Sequence, residues 1–222
     1  ADSLESLSGY RHVYPPQSPE SPLNPIVYSH LRLTVGGRLY HVLSRIADAG
    51  LDYTQRTNKF AHHVALDPME LPMGGPAWLL AQRGFMATGW DNQPQVRPVG
   101  PQPPRGDQPP QICQAWLRLI GDAGWAGLLA ETALPNTNRN AVIVTRPGMD
   151  VLSLLVEALA LVPAPLRWQV TFSTYFTKLP PGVNCKWRCV LEGTPEALAL
   201  ARSPNTLLID LTRPLGKAIG DR

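Results

Sequence analysis

The sequence of 222 residues predicts an α/β fold, with an α+β arrangement as the alternative. Three observations support it: a β-hairpin pattern in the first quarter, a Pro-rich stretch near the middle, and strands alternating with helices thereafter. We therefore expect a hairpin-rich β domain over residues 1–92, a linker or surface loop over 93–110, and a sheet with covering helices over 111–222.

Two β-patterned runs joined by a glycine pair predict the hairpin. Apolar and polar residues alternate from Val27 to Val35, and a second run extends from Arg38 to Ile46. Gly36-Gly37 lies between them, and a two-residue hairpin turn needs positive φ at its centre. A third run, from Phe60 to Leu66, predicts another strand, and Pro76 begins a short helix that reaches Leu80.

The second half alternates helices with strands. Helical spacing of apolar residues predicts one helix from Ile112 to Leu134 and a buried one from Val151 to Val162, capped by Asp150. A third helix follows Thr194-Pro195-Glu196 and ends near Ser203. Strands are predicted over residues 141–145, 169–176, 185–191 and 207–211.

Composition excludes several classes of protein. Hydrophobic residues make up 44% of the chain and charged residues 17%, which is not typical of a disordered segment. The net charge of +3 is spread over both halves, so neither half is a basic module. We therefore expect no nucleic-acid partner. We also expect no membrane insertion, because the longest apolar run, residues 151–162, is too short to cross a bilayer.

The three cysteines indicate a reducing compartment. An odd number at this low density does not form a disulfide framework, which favours a cytoplasmic location. Cys185 and Cys189 are separated by roughly 13 Å along a predicted strand, too far for a disulfide. We expect them on one face with Trp187 and Leu191, as core residues. The first residue is Ala1, not Met, and the chain ends abruptly, which suggests a piece of a longer protein.

All five histidines fall within the first 63 residues, which raises the question of a metal or acid–base site. No metal-binding motif connects them, and no phosphate-binding loop is present, so we predict neither a metal nor a cofactor. His30 and His41 can approach each other across the hairpin. His62 and His63 are consecutive in a strand and should point to opposite faces.

A polar segment beside the third predicted strand is the candidate binding surface. An arginine there offers a bidentate fork and a lysine a point charge, suited to an anion or to acidic side chains of a partner. The alternative is a polar loop whose side chains cap the neighbouring backbone. The candidate residues are Asp52, Tyr53, Arg56, Asn58, Lys59, His62 and His63, and no catalytic residue is assigned.

Several segments of the first half form a recognisable pattern. They are Tyr28-Ser29-His30-Leu31, Gly36-Gly37-Arg38, Val42-Leu43-Ser44-Arg45, the run from Gly50 to Val64, and Gly75-Pro76-Ala77-Trp78-Leu79-Leu80. Over about residues 20–95 the chain resembles the type 2 N-terminal domain of bacterial GTPase-associated proteins. The part after residue 111 resembles, more weakly, the start of their middle region. The resemblance implies an accessory to a small GTPase in bacterial signalling or defence and assigns no catalytic residue.

Three hypotheses follow. The first is a non-enzymatic interaction module of a larger intracellular assembly, with a protein partner that the resemblance implies to be a GTPase. The second is a hydrolase or transferase that uses His30, His41, His62 or His63 as general base, held by a carboxylate such as Asp52 or Asp67. The third is a scaffold domain, in which the polar cluster is hydrogen-bonded internally. The sequence does not indicate an oligomeric state.

Overall fold

The computed structural model of the protein describes residues 2–90, 100 and 102–219. Within these residues seven strands form one mixed sheet with helices packed on it, and the fold is α/β as predicted. The N-terminal strands pair antiparallel, whereas the C-terminal strands pair parallel.

The N-terminal elements confirm the predicted hairpin. Gly36 and Gly37 have φ values of 58° and 79°, the left-handed geometry that glycine adopts without steric cost. The second strand is longer than predicted and continues to Leu51, with a register irregularity after Asp48. The elements in chain order are α1 (Asp2–Glu5), a 3₁₀ turn (Ser21–Leu23), β1 (Val27–Val35), β2 (Arg38–Leu51), β3 (Thr57–Leu66), a 3₁₀ turn (Pro68–Glu70) and α2 (Pro76–Leu80).

The C-terminal elements begin after residue 113. Two predicted helix caps are present: the Asp150 side chain accepts from Ser153 N at 3.2 Å, and Thr194 accepts from Ala197 N at 3.2 Å. The elements are α3 (Gln114–Ile120), α4 (Gly124–Glu131), β4 (Asn140–Thr145), α5 (Val151–Ala160), α6 (Ala164–Arg167), β5 (Phe172–Ser173), β6 (Trp187–Leu191), α7 (Pro195–Ala201) and β7 (Thr206–Asp210).

Two predicted elements need correction. The single helix over 112–134 is wrong, because Gly121 adopts a left-handed φ of 75° that ends α3 before α4 begins. The strand predicted over 169–176 is reduced to Phe172–Ser173, because Gln169 N and Val170 N bond back to the preceding turn instead of a neighbouring strand.

The sheet order is β3-β2-β1-β5-β6-β4-β7. Its centre is the β1–β5 junction, an antiparallel pairing of Ser29 with Ser173 and of His30 with Phe172. Strands from both predicted domains therefore contribute to one sheet. The division into domains at residues 93–110 stays a prediction, and residues 93–99 and 101 of that stretch lie outside the described residues.

The two faces of the sheet are covered differently. Helices α2 to α5 pack on the face that includes His30, called here the His30 face, where the largest core cluster contains Trp116, Phe172 and Trp187. The opposite face includes Ser29 and is called the Ser29 face. It carries three smaller clusters under the N-terminal segment, the loop near residues 175–183 and α7.

The three cysteines are free and buried, and the prediction of core positions for Cys185 and Cys189 is confirmed. The common face predicted for four residues near the sixth strand is wrong, however. Trp187 and Cys189 lie in the main core cluster, whereas Cys185 lies in a cluster on the other face and Leu191 packs in a third cluster. Cys185 precedes β6, so strand alternation does not fix its direction.

Candidate functional site

The predicted binding segment lies at the β2–β3 tip, residues 52–56, and along the start of β3. Asp52 organises the turn. Its Oδ1 accepts hydrogen bonds from Thr54 N at 2.8 Å, Thr54 Oγ1 at 2.7 Å and Arg56 N at 3.0 Å. The Thr54 hydroxyl, followed by these backbone bonds, lowers the pKa of the Asp52 carboxyl. Asp52 therefore uses its Oδ1 to hold the loop together.

Tyr53 and Arg56 are the exposed side chains of this tip. Tyr53 is 96% exposed, and Arg56, three residues later in the chain, is also exposed. Gln55, which precedes Arg56, has a left-handed φ of 64°. Neither side chain is hydrogen-bonded to any of the described residues. A large aromatic ring and a guanidinium are thus presented to solvent on a turn whose backbone is already ordered.

Asn58 and Lys59 hold the N-terminal segment. The Asn58 carbonyl accepts from His12 Nε2 at 3.1 Å, and Lys59 Nζ donates to the Ser8 carbonyl. The Asn58 side chain accepts from Lys59 N at 2.8 Å. Both residues are exposed, yet their polar groups are used within the protein.

His62 and His63 point to opposite faces of the sheet, as predicted. His62 Nδ1 accepts from Ala87 N at 3.0 Å on the His30 face. On the Ser29 face, His63 bonds to Ser44 Oγ at 2.7 Å and Ser8 Oγ at 2.8 Å. Burial lowers the pKa of both imidazoles. The seven candidate residues therefore form separate sets and not a single site.

His30 and His41 meet across the hairpin, as predicted, in the buried core. The Val170 carbonyl can only accept, so His30 Nδ1 donates to it at 2.8 Å. His30 Nε2 must then accept from His41 Nδ1, 3.0 Å away. Burial lowers the pKa of His30 to about 3 and that of His41 to about 4, so both are neutral at neutral pH. The Trp168 ring is nearly perpendicular to both imidazoles, with ring centroids 5.3 Å from that of His30 and 5.4 Å from that of His41.

The geometry expected for a histidine general base differs from what is found. Within the part of the chain described, neither Asp52 nor Asp67 contacts a histidine; Asp67 instead binds Arg38 and caps the following turn. The histidine that does contact a carboxylate is His12, whose Nε2 lies 3.2 Å from Asp48 Oδ1. Sequence reasoning missed this pair, because its members are far apart in the chain and share no local motif.

Residues 2–90, 100 and 102–219 contain no group of three or more histidine, cysteine or acidic side chains positioned to hold a metal ion. They also contain no helix with the length and apolar character needed to cross a membrane.

Comparison with protein families gives two adjacent matches. Residues 1–104 match the model of GTPase-associated protein 1, N-terminal domain type 2, and residues 113–213 match the model of its middle domain. No curated protein and no solved structure matches the chain. Both matches are to regions of the same protein, in the order predicted by resemblance. The chain therefore belongs to the GTPase-associated protein 1 family, as a type 2 N-terminal domain followed by a middle domain.

Proposed function

We propose that this chain is a non-enzymatic module that binds a small GTPase through the β2–β3 tip. The observation that carries the proposal is the simultaneous exposure of Tyr53 and Arg56 on an ordered turn. Tyrosine and arginine are enriched among the residues that dominate binding energy at protein interfaces. The family name supplies the class of partner.

The turn geometry supports binding because it reduces the entropy lost on association. Two hydrogen bonds from backbone N–H groups to Asp52, with a third from the Thr54 hydroxyl, hold the loop before any partner arrives. Only the side chains of Tyr53 and Arg56 then need to be immobilised. Asp52 supports the surface indirectly in this proposal.

The other candidate residues have a supporting part in the same proposal. Lys59 and His63 bond to Ser8, and Asn58 bonds to His12, so the start of β3 is held against the N-terminal segment. These bonds keep the base of the hairpin in place while its tip projects. Replacing Lys59 should therefore affect stability before it affects binding.

The setting we propose is the bacterial cytoplasm, in a GTPase-linked signalling or defence assembly. Three free, buried cysteines are compatible with a reducing compartment. A GTPase changes conformation between its nucleotide states, and the proposed module would prefer one of those states.

The experiment compares capture by the native chain and by a Tyr53→Ala/Arg56→Ala double variant. Lysate of the source cell is supplied with either GDP or a non-hydrolysable GTP analogue, and any retained GTPase is identified by mass spectrometry. The purified GTPase is then titrated against both chains. We expect state-dependent binding that the double variant weakens roughly a hundredfold, as for two interface residues that each contribute about 1.4 kcal/mol.

A Met69→Ala/Arg118→Ala double variant is the matched control. Met69 is 92% exposed and Arg118 is exposed on α3, so it removes one large side chain and one arginine elsewhere on the surface. Equal affinity of the native chain and the Tyr53→Ala/Arg56→Ala variant for the GTPase would contradict the proposed surface. Recovery of no GTPase in either nucleotide state would contradict the proposed function itself.

A further inference from the structure

A row of polar residues crosses the Ser29 face of the sheet. Register pairs His63 with Ser44, Ser44 with Ser29, Ser29 with Ser173, and Ser173 with Arg188 on five consecutive strands. Apolar clusters lie on both sides of the row: one contains Leu31 and Val42, the other Val27 and Ile46. A polar row between two apolar clusters is unusual in a sheet interior, because buried polar groups are costly without partners.

The residues at the two ends of this row make side-chain hydrogen bonds, but the two serines in its middle do not. At one end Ser44 bonds to His63, and at the other Arg188 Nε donates to the Cys185 carbonyl at 2.9 Å. Ser29 and Ser173 are each only 6% exposed, and neither hydroxyl is hydrogen-bonded to any of the described residues. They are directly opposite each other across the β1–β5 junction, which brings their Cβ atoms to roughly 5 Å.

A cavity of about 340 Å³ lies over these two serines. The volume is within the range of small-molecule sites. Its walls are mainly apolar and come from the N-terminal segment, β1, β2 and the loop after β5. They include Leu7, Val27, Leu31, Ile46, Phe176 and Leu179. The hydroxyls of Ser29 and Ser173 are thus polar points on the floor of an apolar pocket.

The charge of the lining indicates the sign of a ligand. Lys178 is the one charged side chain among the described residues that line the cavity, and no carboxylate is among them. The hydroxyls of Ser29 and Ser173, together with the one ammonium group, favour an anion, whereas the apolar walls favour a hydrocarbon body. Hydrogen bonds from hydroxyl groups to an ionised carboxylate are stronger than those to neutral acceptors.

We propose that this cavity binds a small organic monocarboxylate. The carboxylate accepts hydrogen bonds from Ser29 Oγ and Ser173 Oγ and faces Lys178, while its hydrocarbon chain packs against the apolar walls. The site is separate from the β2–β3 tip and does not depend on the proposed GTPase contact.

The test titrates the whole chain with three probes of equal length: hexanoate, hexylammonium and 1-hexanol. Isothermal titration calorimetry should show hexanoate binding with a dissociation constant of roughly 1 mM or tighter. We expect the other two probes to bind roughly tenfold more weakly or not at all. Ser29→Ala and Ser173→Ala should each weaken hexanoate binding roughly tenfold or more, as expected for a lost bond to a charged group. Lys178→Met should weaken it and reduce its sensitivity to salt.

The control variant is Ser203→Ala, an exposed serine outside the cavity, which should leave hexanoate binding unchanged. Thermal unfolding separates binding from folding. Because Ser29 and Ser173 make no internal bond, their alanine variants should unfold at or above the native temperature. The proposal is overturned if hexanoate does not bind, if hexylammonium binds equally well, or if both serine variants retain native affinity. A large loss of thermal stability in these variants would also overturn it, since the hydroxyls would then have a structural partner.

Discussion

Replacing Arg167 with methionine would remove four hydrogen bonds made by one buried side chain. Arg167 Nε donates to the Val162 carbonyl, and Nη2 to the Ala160 carbonyl, both near the end of α5. Nη1 donates to the Met73 carbonyl at 3.0 Å and to Asp107 Oδ1 at 2.9 Å. The side chain therefore connects α5 with a segment before α2 and with the Pro-rich stretch.

The expected loss can be worked out from these partners. Methionine leaves three backbone carbonyls without a donor, at about 1–3 kcal/mol for each buried polar group left unpaired. The Met73 carbonyl lies nearer solvent, so we expect a total of about 3–5 kcal/mol. Arg167→Lys keeps the charge but not the fork, and should lose about half of that amount. Asp107→Asn removes only an ion pair whose acidic side chain is 53% exposed, and should cost about 0.5 kcal/mol.

Urea unfolding followed by tryptophan fluorescence measures all three variants against the native chain. We expect Arg167→Met to lower the free energy of unfolding most, Arg167→Lys less, and Asp107→Asn least. Two results would refute the reasoning. A loss below about 1 kcal/mol for Arg167→Met would show that the carbonyls find other donors. An equal loss for Asp107→Asn would show that the energy resides in the ion pair.

Three further predictions concern stability and reactivity. Between pH 7 and 5 the unfolded chain takes up protons, since an ordinary histidine has a pKa of about 6.5. His30 and His41, with folded pKa values of about 3 and about 4, stay neutral over this range. Stability should fall by about 2 kcal/mol for each, and an unchanged urea midpoint at pH 5 would argue against their burial. Gly127→Ala, whose Cβ meets no atom within 4 Å, should stabilise α4 by about 0.5–1 kcal/mol. Gly106→Ala, with its Cβ 2.5 Å from Trp78, should lower the melting temperature, and equal shifts in the two variants would contradict the packing. The three buried cysteines should not react with Ellman's reagent until urea is added, and a thiol that titrates in the native chain would contradict their burial.

The elements that were predicted correctly are those determined by residues close together in the chain. The glycine pair at 36–37 fixes a tight turn, and strand alternation on both sides needs no information from the rest of the chain. The caps at Asp150 and Thr194 are equally local, because each side chain bonds three residues ahead.

The errors arose where a single residue or a distant partner decides the outcome. Apolar spacing continues through Gly121, so periodicity alone does not reveal the left-handed residue that separates α3 from α4. The residues at 169–176 have strong β propensity, yet α6 and its following turn use their first backbone groups. Hydrogen bonds from Gln169 and Val170 to the preceding turn therefore prevented the strand pairing that β propensity predicts for these residues.

The candidate site was predictable in composition but not in arrangement. Sequence singled out the polar segment that contains Tyr53 and Arg56, and the opposite directions of His62 and His63 followed from strand alternation. It did not reveal that Asp52 Oδ1 accepts hydrogen bonds within its own turn, nor that His12 contacts Asp48. The sequence did not reveal the row that contains Ser29 and Ser173, because these serines lie on strands that are far apart in the chain and become neighbours only in the folded sheet.

The β1–β5 junction also bears on how the chain assembles. A hydrogen bond beside it, from Tyr28 N to Thr174 Oγ1, joins residues 146 apart, so the junction forms only after a long loop closes. The β1–β2–β3 hairpins are local and should form earlier. Until closure, β1 and β5 each present an unpaired edge to neighbouring molecules. The risk of aggregation during synthesis is therefore concentrated at two strands that are central and protected once the sheet is complete.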